Sequence, residues 1–179
     1  VLDPTAGIVF HKKIGNFDGH IKVYGLGLNY DTSKIEGIGG IEMVSPNRER
    51  RGLINFGSKR KVVTFKEINT SLMEEFYQLP IIGNYPNDDQ VLVGYDIASR
   101  LGIKVGDEII ISSPLDQSSM LGFPPVLKIK VSGLFYSKIL DYDNKFIFIS
   151  KNAGEKLFQS VSNTKYLDIK ISDNDDKRY

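Results

Sequence analysis

The sequence has no cysteine and only two histidines in 179 residues. Without cysteine there is no disulfide, no thiolate zinc ligand and no cysteine nucleophile. The histidines, His11 and His20, stand apart, and no further metal ligands cluster near them. The sequence therefore predicts no metal site.

Long hydrophobic runs are also missing. The longest, at residues 109–111 and 146–149, are far shorter than the ~20 residues that span a bilayer. The chain begins with Val and carries no signal-type segment, so we interpret it as part of a longer protein. Any membrane attachment is expected beyond its ends.

Charge of one sign is not in excess, because 23 basic and 22 acidic residues leave a net charge of +1. Such a balance predicts no nucleic-acid partner. A basic segment at residues 48–61 is interrupted by Glu49, which favours an exposed hairpin over a phosphate-binding surface. Short motifs for phosphate loops, zinc sites, nucleophile elbows and dinucleotides are absent as well. The sequence therefore contains none of the short motifs that build these catalytic or cofactor-binding sites.

The composition is that of a globular protein, with 41% hydrophobic and 25% charged residues. Alternating or continuously apolar patterns predict strands at residues 20–28, 41–44, 91–93, 126–136, 146–149 and 166–172. Within 103–113 they predict a tight turn at Gly106 and Asp107 and then a strand. Helical spacing predicts helices at 65–79, at 95–101 and at 153–161, with Gly102 ending the second of these. The interspersed elements predict an α+β domain rather than an all-β barrel.

The segment 114–125 is an unusually long connection between two strands that are expected to pair. Hairpin loops ordinarily have ~2 to 5 polar residues, whereas this one contains Met120, Leu121 and Phe123 and ends in two prolines. Its apolar side chains either fold back onto the body or project and bind an apolar partner. The residues alone leave both possibilities open.

Two long stretches resemble a known family: VLVGYDIASRLGIKVGDEIIISSP and KIKVSGLFYSKILDYDNKFIFISKNAGEKLF. The shared features are an LGxKVGD turn at 101–107, a V.G.F strand at 131–135 before a DYD segment, and an A...LF helix at 153–158. In their order and spacing they are similar to the extracytoplasmic region of MacB-type ABC transporter permeases, in particular the lipoprotein-releasing LolC/LolE family.

The resemblance implies a MacB-like periplasmic core in two parts. Residues 1–45 and 139–179 would form a porter-like part, and residues 46–138 a strand-rich Sabre-like insertion that carries the loop at 114–125. In LolC a proline-containing hairpin, the Hook, recruits the carrier LolA. The residues that match the Hook are Met120, Leu121, Gly122, Phe123, Pro124 and Pro125.

The family also implies a location and partners. The domain would face the periplasm from the inner membrane, would catalyse nothing and use no cofactor itself, and would relay movement driven by a separate cytoplasmic subunit that hydrolyses ATP. Its partners would be a LolA-like carrier, a sister permease subunit and the lipoprotein cargo. The alternatives are a MacB-like exporter, an FtsX-like force-transmitting permease and, from another class, a soluble hydrolase with an unrecognised site.

Overall fold

The computed structural model describes residues 8–10, 19–24, 32–113, 124–158 and 165–172. The strands are β1 (Ile8–Phe10), β2 (Ile21–Tyr24), β3 (Ile41–Phe56), β4 (Lys59–Ile68), β5 (Ile81–Gly83), β6 (Gln90–Gly94), β7 (Glu108–Ser112), β8 (Val126–Phe135), β9 (Phe146–Ser150) and β10 (Lys165–Ile171). The helices are α1 (Ser33–Glu36), α2 (Thr70–Tyr77), α3 (Tyr95–Leu101), α4 (Leu140–Asp143) and α5 (Lys151–Leu157). No helix in these ranges is long and apolar enough to cross a membrane.

Six of the described strands close into a ring in the order β3, β4, β9, β6, β8 and β7, with β7 pairing back onto β3. The pairs β4–β9 and β6–β8 are parallel, and the other neighbours are antiparallel. Strands paired on both sides leave no open edge where the ring closes. The α+β prediction did not include this closure.

The remaining sheet extends from β3 through β10 and β2 to β1. On β3, the ladder to β10 runs up to Arg48, which faces Lys165, and the ladder to β4 begins at the same residue, which faces Glu67. The two ladders therefore overlap at Arg48 alone. β3 therefore belongs both to the ring and to the extension of the sheet. The predicted division at residue 45 falls within β3. The boundaries of the porter-like and Sabre-like parts remain a prediction.

Two cores lie on opposite faces of the ring strands. The inner one is formed by inward residues of the ring together with α3 and α5, and includes Ile54, Phe65, Val91, Ile97, Ile109, Ile147 and Leu157, all fully buried. The outer one is covered by α2 and includes Ile68, Met73, Phe76, Leu92, Phe135 and Phe148. Burial on both faces explains why β9 reads as a continuous apolar run.

The predicted helix at 65–79 is wrong in its first turn. Phe65 and Ile68 belong to the end of β4, where they lie beside Ile147 and Ser150 of β9. Their apolar spacing reflects two cores on opposite faces of a strand, which imitates helical periodicity. The helix starts only after Asn69, whose side chain accepts a hydrogen bond from the amide of Ser71 at 3.1 Å.

Other local predictions are confirmed. Helix α3 spans residues 95–101 as expected, and Gly102 ends it in the left-handed conformation at φ 84°. The basic segment forms the β3–β4 hairpin, and β7 pairs with β8. The strand-rich mixture of strands and helices agrees with the predicted class.

Candidate partner-binding site

The predicted binding loop joins β7 to β8. Four of its predicted contact residues lie outside the described part of the chain: Met120, Leu121, Gly122 and Phe123. Pro124 and Pro125 are described, and both are half-buried. The amide of Ser113 donates to the carbonyl of Pro125 at 3.2 Å, so the two ends of the loop are held side by side.

A row of side chains crosses four strands at the base of this loop. Leu53 on β3 lies opposite both Val62 on β4 and Ser112 on β7, and Ser112 lies opposite Val126 on β8. Directly opposed residues share a face, with Cβ atoms ~5 Å apart. Val62 and Val126 are 64% and 63% exposed. Ser112 is buried and Leu53 is half-buried, so the row is accessible at its two ends, Val62 and Val126, and the Val126 end leads directly into the loop.

The adjoining row extends this surface. Asn55 lies opposite Arg60 and Ile110, and Ile110 lies opposite Lys128. The guanidinium of Arg60 donates to the side-chain oxygen of Asn55 at 2.8 Å, which confirms that they share the outer face. Ile110 is 43% exposed. We call the two rows together the outer patch.

The outer patch has a basic rim. Arg51 and Lys130 are exposed on the same face, beyond its two rows. Glu108 contributes a carboxylate, but it is bonded to the ammonium of Lys128 at 2.8 Å. An apolar centre with cationic groups around it suits a partner surface that is apolar and carries carboxylates at its margin.

A buried polar network lies where β2, β10, β3 and β4 meet. The Oδ2 atom of Asp168 accepts hydrogen bonds from the side-chain amide of Asn47 at 2.7 Å and from the ammonium of Lys66 at 3.2 Å. The ammonium of Lys22 lies 4.0 Å from Oδ1. Lys66 and Asp168 are both fully buried. The hydroxyl of Tyr77 also donates to Asn47, at 3.2 Å, which links α2 to the network.

Two further buried groups adjoin this network. Burial raises the pKa of Glu67, although the guanidinium of Arg48 bonds it and opposes that shift. Burial also raises the pKa of Tyr166, whose hydroxyl donates to Glu49 and whose ring lies 5.9 Å from the ammonium of Lys66. Charges this deeply buried need such partners, so the network has a structural role.

A cleft with a volume of ≈ 190 Å³ is lined by Tyr95, Asp96, Tyr136, Lys138 and Asp143. Both carboxylates hold structural bonds, since Asp96 accepts from Arg100 at 2.8 Å and Asp143 from the amide of Ser137 at 2.7 Å. No group of three or more His, Cys, Asp or Glu residues is placed to hold a metal ion within the described ranges.

Sequence reasoning missed the outer patch. Its signal lay in the alternation of Val126, Lys128 and Lys130 against buried Ile129 and Val131, which indicates an outer face with one exposed valine. The two rows of the outer patch are brought together only when β3 and β7 pair. That pairing joins segments far apart in the sequence.

The comparisons with known proteins concern the fold. The sequence matches no protein-family model and no curated protein. The structure is similar to the periplasmic region of MacB from Actinobacillus actinomycetemcomitans, with a TM-score of 0.56 and 13% identity, over 80% of this chain and 64% of that one. The chain thus spans less than two thirds of the MacB region.

It is also similar to the extracellular domain of the noncanonical ABC-type transporter YknZ from Gram-positive bacteria. The TM-score is 0.56 and the identity 12%, over 79% of this chain and 72% of that one. At such low identity the likeness is one of fold. The chain therefore shares the fold of periplasmic and extracellular domains of ABC transporter permeases.

Proposed function

We propose that this chain is the extracytoplasmic domain of an ABC transporter permease of the lipoprotein-releasing type, and that it binds a LolA-like periplasmic carrier. In this role the domain catalyses nothing. A separate cytoplasmic ATPase supplies the energy, a sister permease completes the transporter, and the lipoprotein cargo passes to the carrier.

The observation that carries the proposal is the continuity between the 114–125 loop and the outer patch. Val126 is both the first residue of β8 after the loop and an exposed end of the first row of the outer patch. A carrier held by Met120 and Phe123 would therefore lie over Val62 and Ile110 as well. Burying each large apolar side chain contributes about 1.5 to 3 kcal/mol before ordering costs.

We also propose that the domain relays ATP-driven movement from the membrane to the loop, and the shared strand β3 supports this role. The loop is anchored opposite Leu53, whereas β10 ends opposite Ile41, about 40 Å away along β3 at ~3.3 Å per residue. Movement applied at the β10 end reaches the loop through one continuous strand.

Calorimetry of this domain with a LolA-like carrier from the same organism tests the proposal. The variants are Phe123→Ala and Met120→Asp in the loop and Val62→Asp in the outer patch. Ile38→Asp is the matched control, because Ile38 is 54% exposed and follows α1, away from both. We expect binding that all three variants weaken and the control leaves unchanged.

A second candidate is a MacB-like export permease, which the similarity to the MacB periplasmic region favours. It requires no carrier contact at the loop. Absence of binding at high micromolar carrier, with the domain folded and the carrier active, would reject the lipoprotein-releasing role and support an export or force-transmitting permease. An FtsX-like force-transmitting permease makes the same prediction for the carrier.

A further inference from the structure

The outer edge of β5 is built for pairing with another strand. β5 is the last strand in the sheet order, and β8 is its ladder partner within the described part of the chain. Its residues lie at the surface, with Gly83 and Ile82 exposed. An open edge presents backbone donors and acceptors that another strand can satisfy.

The hydrogen bonds toward β8 determine which groups point outward. The backbone N–H of Tyr136 donates to the carbonyl of Pro80 at 2.9 Å, and the backbone N–H of Asn84 donates to the carbonyl of Ser132 on β8 at 3.0 Å. In a trans peptide the N–H and C=O groups point in opposite directions, and no described peptide is cis. The N–H of Ile81 and the C=O of Gly83 therefore point away from β8.

The same alternation applies to the peptides on either side of Ile82. The pair Ile82–Leu134 lies midway between the hydrogen-bonded pairs Pro80–Tyr136 and Asn84–Ser132. Because every second pair of an antiparallel ladder is hydrogen-bonded, the N–H and C=O groups of Ile82 also point toward β8. The C=O of Ile81 and the N–H of Gly83 consequently also point outward. The edge offers two donors and two acceptors, arranged symmetrically about Ile82.

The side chains leave this edge unprotected. Residues 79–87, LPIIGNYPN, contain no charged residue, whereas natural proteins commonly place lysine or another charge on an exposed edge. Ile82 is 57% exposed, and the neighbouring Val105 and Tyr136 are 40% and 48% exposed. An uncharged edge beside exposed apolar side chains is typical of an interaction surface.

We propose that β5 pairs with β5 of a second copy of this chain, antiparallel, about a two-fold axis at Ile82. In this register Ile81 of each copy faces Gly83 of the other, and each of these pairs exchanges two hydrogen bonds. All four outward groups on each copy are satisfied. Ile82 packs against Ile82 of the second copy, as a self-complementary interface requires.

A second copy is the partner that this uncharged edge favours, because a self-paired strand places its own side chains opposite one another and residues 79–87 contain no charge that would repel its copy. The pairing is short, since β5 has 3 residues. Self-association of the free domain is therefore expected only at high protein concentration. The proposal does not depend on carrier binding.

Cysteine cross-linking tests the register directly, because the native chain has no cysteine. Directly opposed residues at a non-hydrogen-bonded position have Cα atoms ~4.5 Å apart, within the range that a disulfide spans. Ile82→Cys should form a disulfide-linked dimer under mild oxidation. Val62→Cys is the control, because Val62 is 64% exposed on another face and should stay monomeric.

Charge substitution provides the second test. Ile82→Lys and Ile82→Glu should each remain at the monomer mass of 20.1 kDa in sedimentation at concentrations where the native chain dimerises. An equimolar mixture of the two should dimerise again, because opposite charges then meet at the axis. Equal cross-linking of both cysteine variants, a native chain that stays monomeric, or a dimer that survives Ile82→Lys would overturn the proposal.

Discussion

The ammonium of Lys66 on β4 lies 3.2 Å from the carboxylate of Asp168 on β10, and both side chains are fully buried. The two residues belong to strands that are separated by β3 in the sheet. Their contact therefore crosses a strand and links the ring to the extension. A buried pair of this kind is costly to break from one side, because the remaining charge loses its partner.

Lys66→Met should lower the free energy of unfolding by about 3 kcal/mol, because Asp168 would lose its nearer cation and keep Lys22 at 4.0 Å. Lys128→Met is the control, since Lys128 forms an exposed pair with Glu108 and should cost about 0 to 1 kcal/mol. Urea unfolding measures the free energy of unfolding of both variants and of the native chain. Equal effects of the two substitutions would contradict a special role for the buried pair.

Glu67 should make stability depend on pH. Burial raises its pKa above the ordinary 4.5, so the folded chain binds this proton more tightly than the unfolded chain. This contribution to stability is fully present below pH 4.5 and is lost as the pH rises through the folded pKa.

Glu67→Gln removes that titration while keeping an acceptor for Arg48. Relative to the native chain, the variant should therefore gain stability as the pH rises from about 4 to 8. Urea unfolding of both proteins across this range measures the difference. A relative loss of stability with rising pH would show that Arg48 outweighs burial.

Gly52→Ala should destabilise the ring where β3 meets β4 and β7. A Cβ atom at Gly52 would lie 2.5 Å from the ring of Phe65 and 2.5 Å from the carbonyl of Ser112. Relieving such overpacking costs about 1 to 3 kcal/mol. Gly39→Ala is the control, because a Cβ there meets nothing within 4 Å. Thermal unfolding that is equal for both variants would argue against this contact.

Asn69→Ala should lower stability by about 1 kcal/mol, because the amide of Ser71 at the start of α2 loses its capping acceptor. Thr32→Ala is the matched control, since Thr32 precedes α1 without a capping bond from its side chain. Urea unfolding compares the free energies of unfolding of the two variants with that of the native chain. A larger loss for Thr32→Ala would be inconsistent with the cap.

The local parts of the fold could be predicted from the sequence. Helix α3 ends where Gly102 permits a left-handed residue, and the alternation on β8 places Ile129 and Val131 inside. These signals lie within a few residues of one another. The β7–β8 pairing was also predictable, because the two strands follow each other in the chain on either side of the loop.

The non-local parts could not be predicted in the same way. Ring closure depends on β7 meeting β3, and no residue pattern within either strand specifies that neighbour. Lys66 reads as a surface residue in the sequence, yet it is fully buried because Asp168, distant in the chain, supplies its counter-charge. The outer patch likewise exists only after Leu53 is paired on both sides.

The single-residue overlap of the two ladders at Arg48 has a mechanical consequence. Backbone pairing alone would leave a compliant joint there, because few inter-strand hydrogen bonds resist bending across one residue. The stiffness of the joint depends instead on side chains that cross it, above all Lys66, Asn47 and Asp168. Substituting them would soften the transmission of a load along β3 while leaving the surfaces at either end intact.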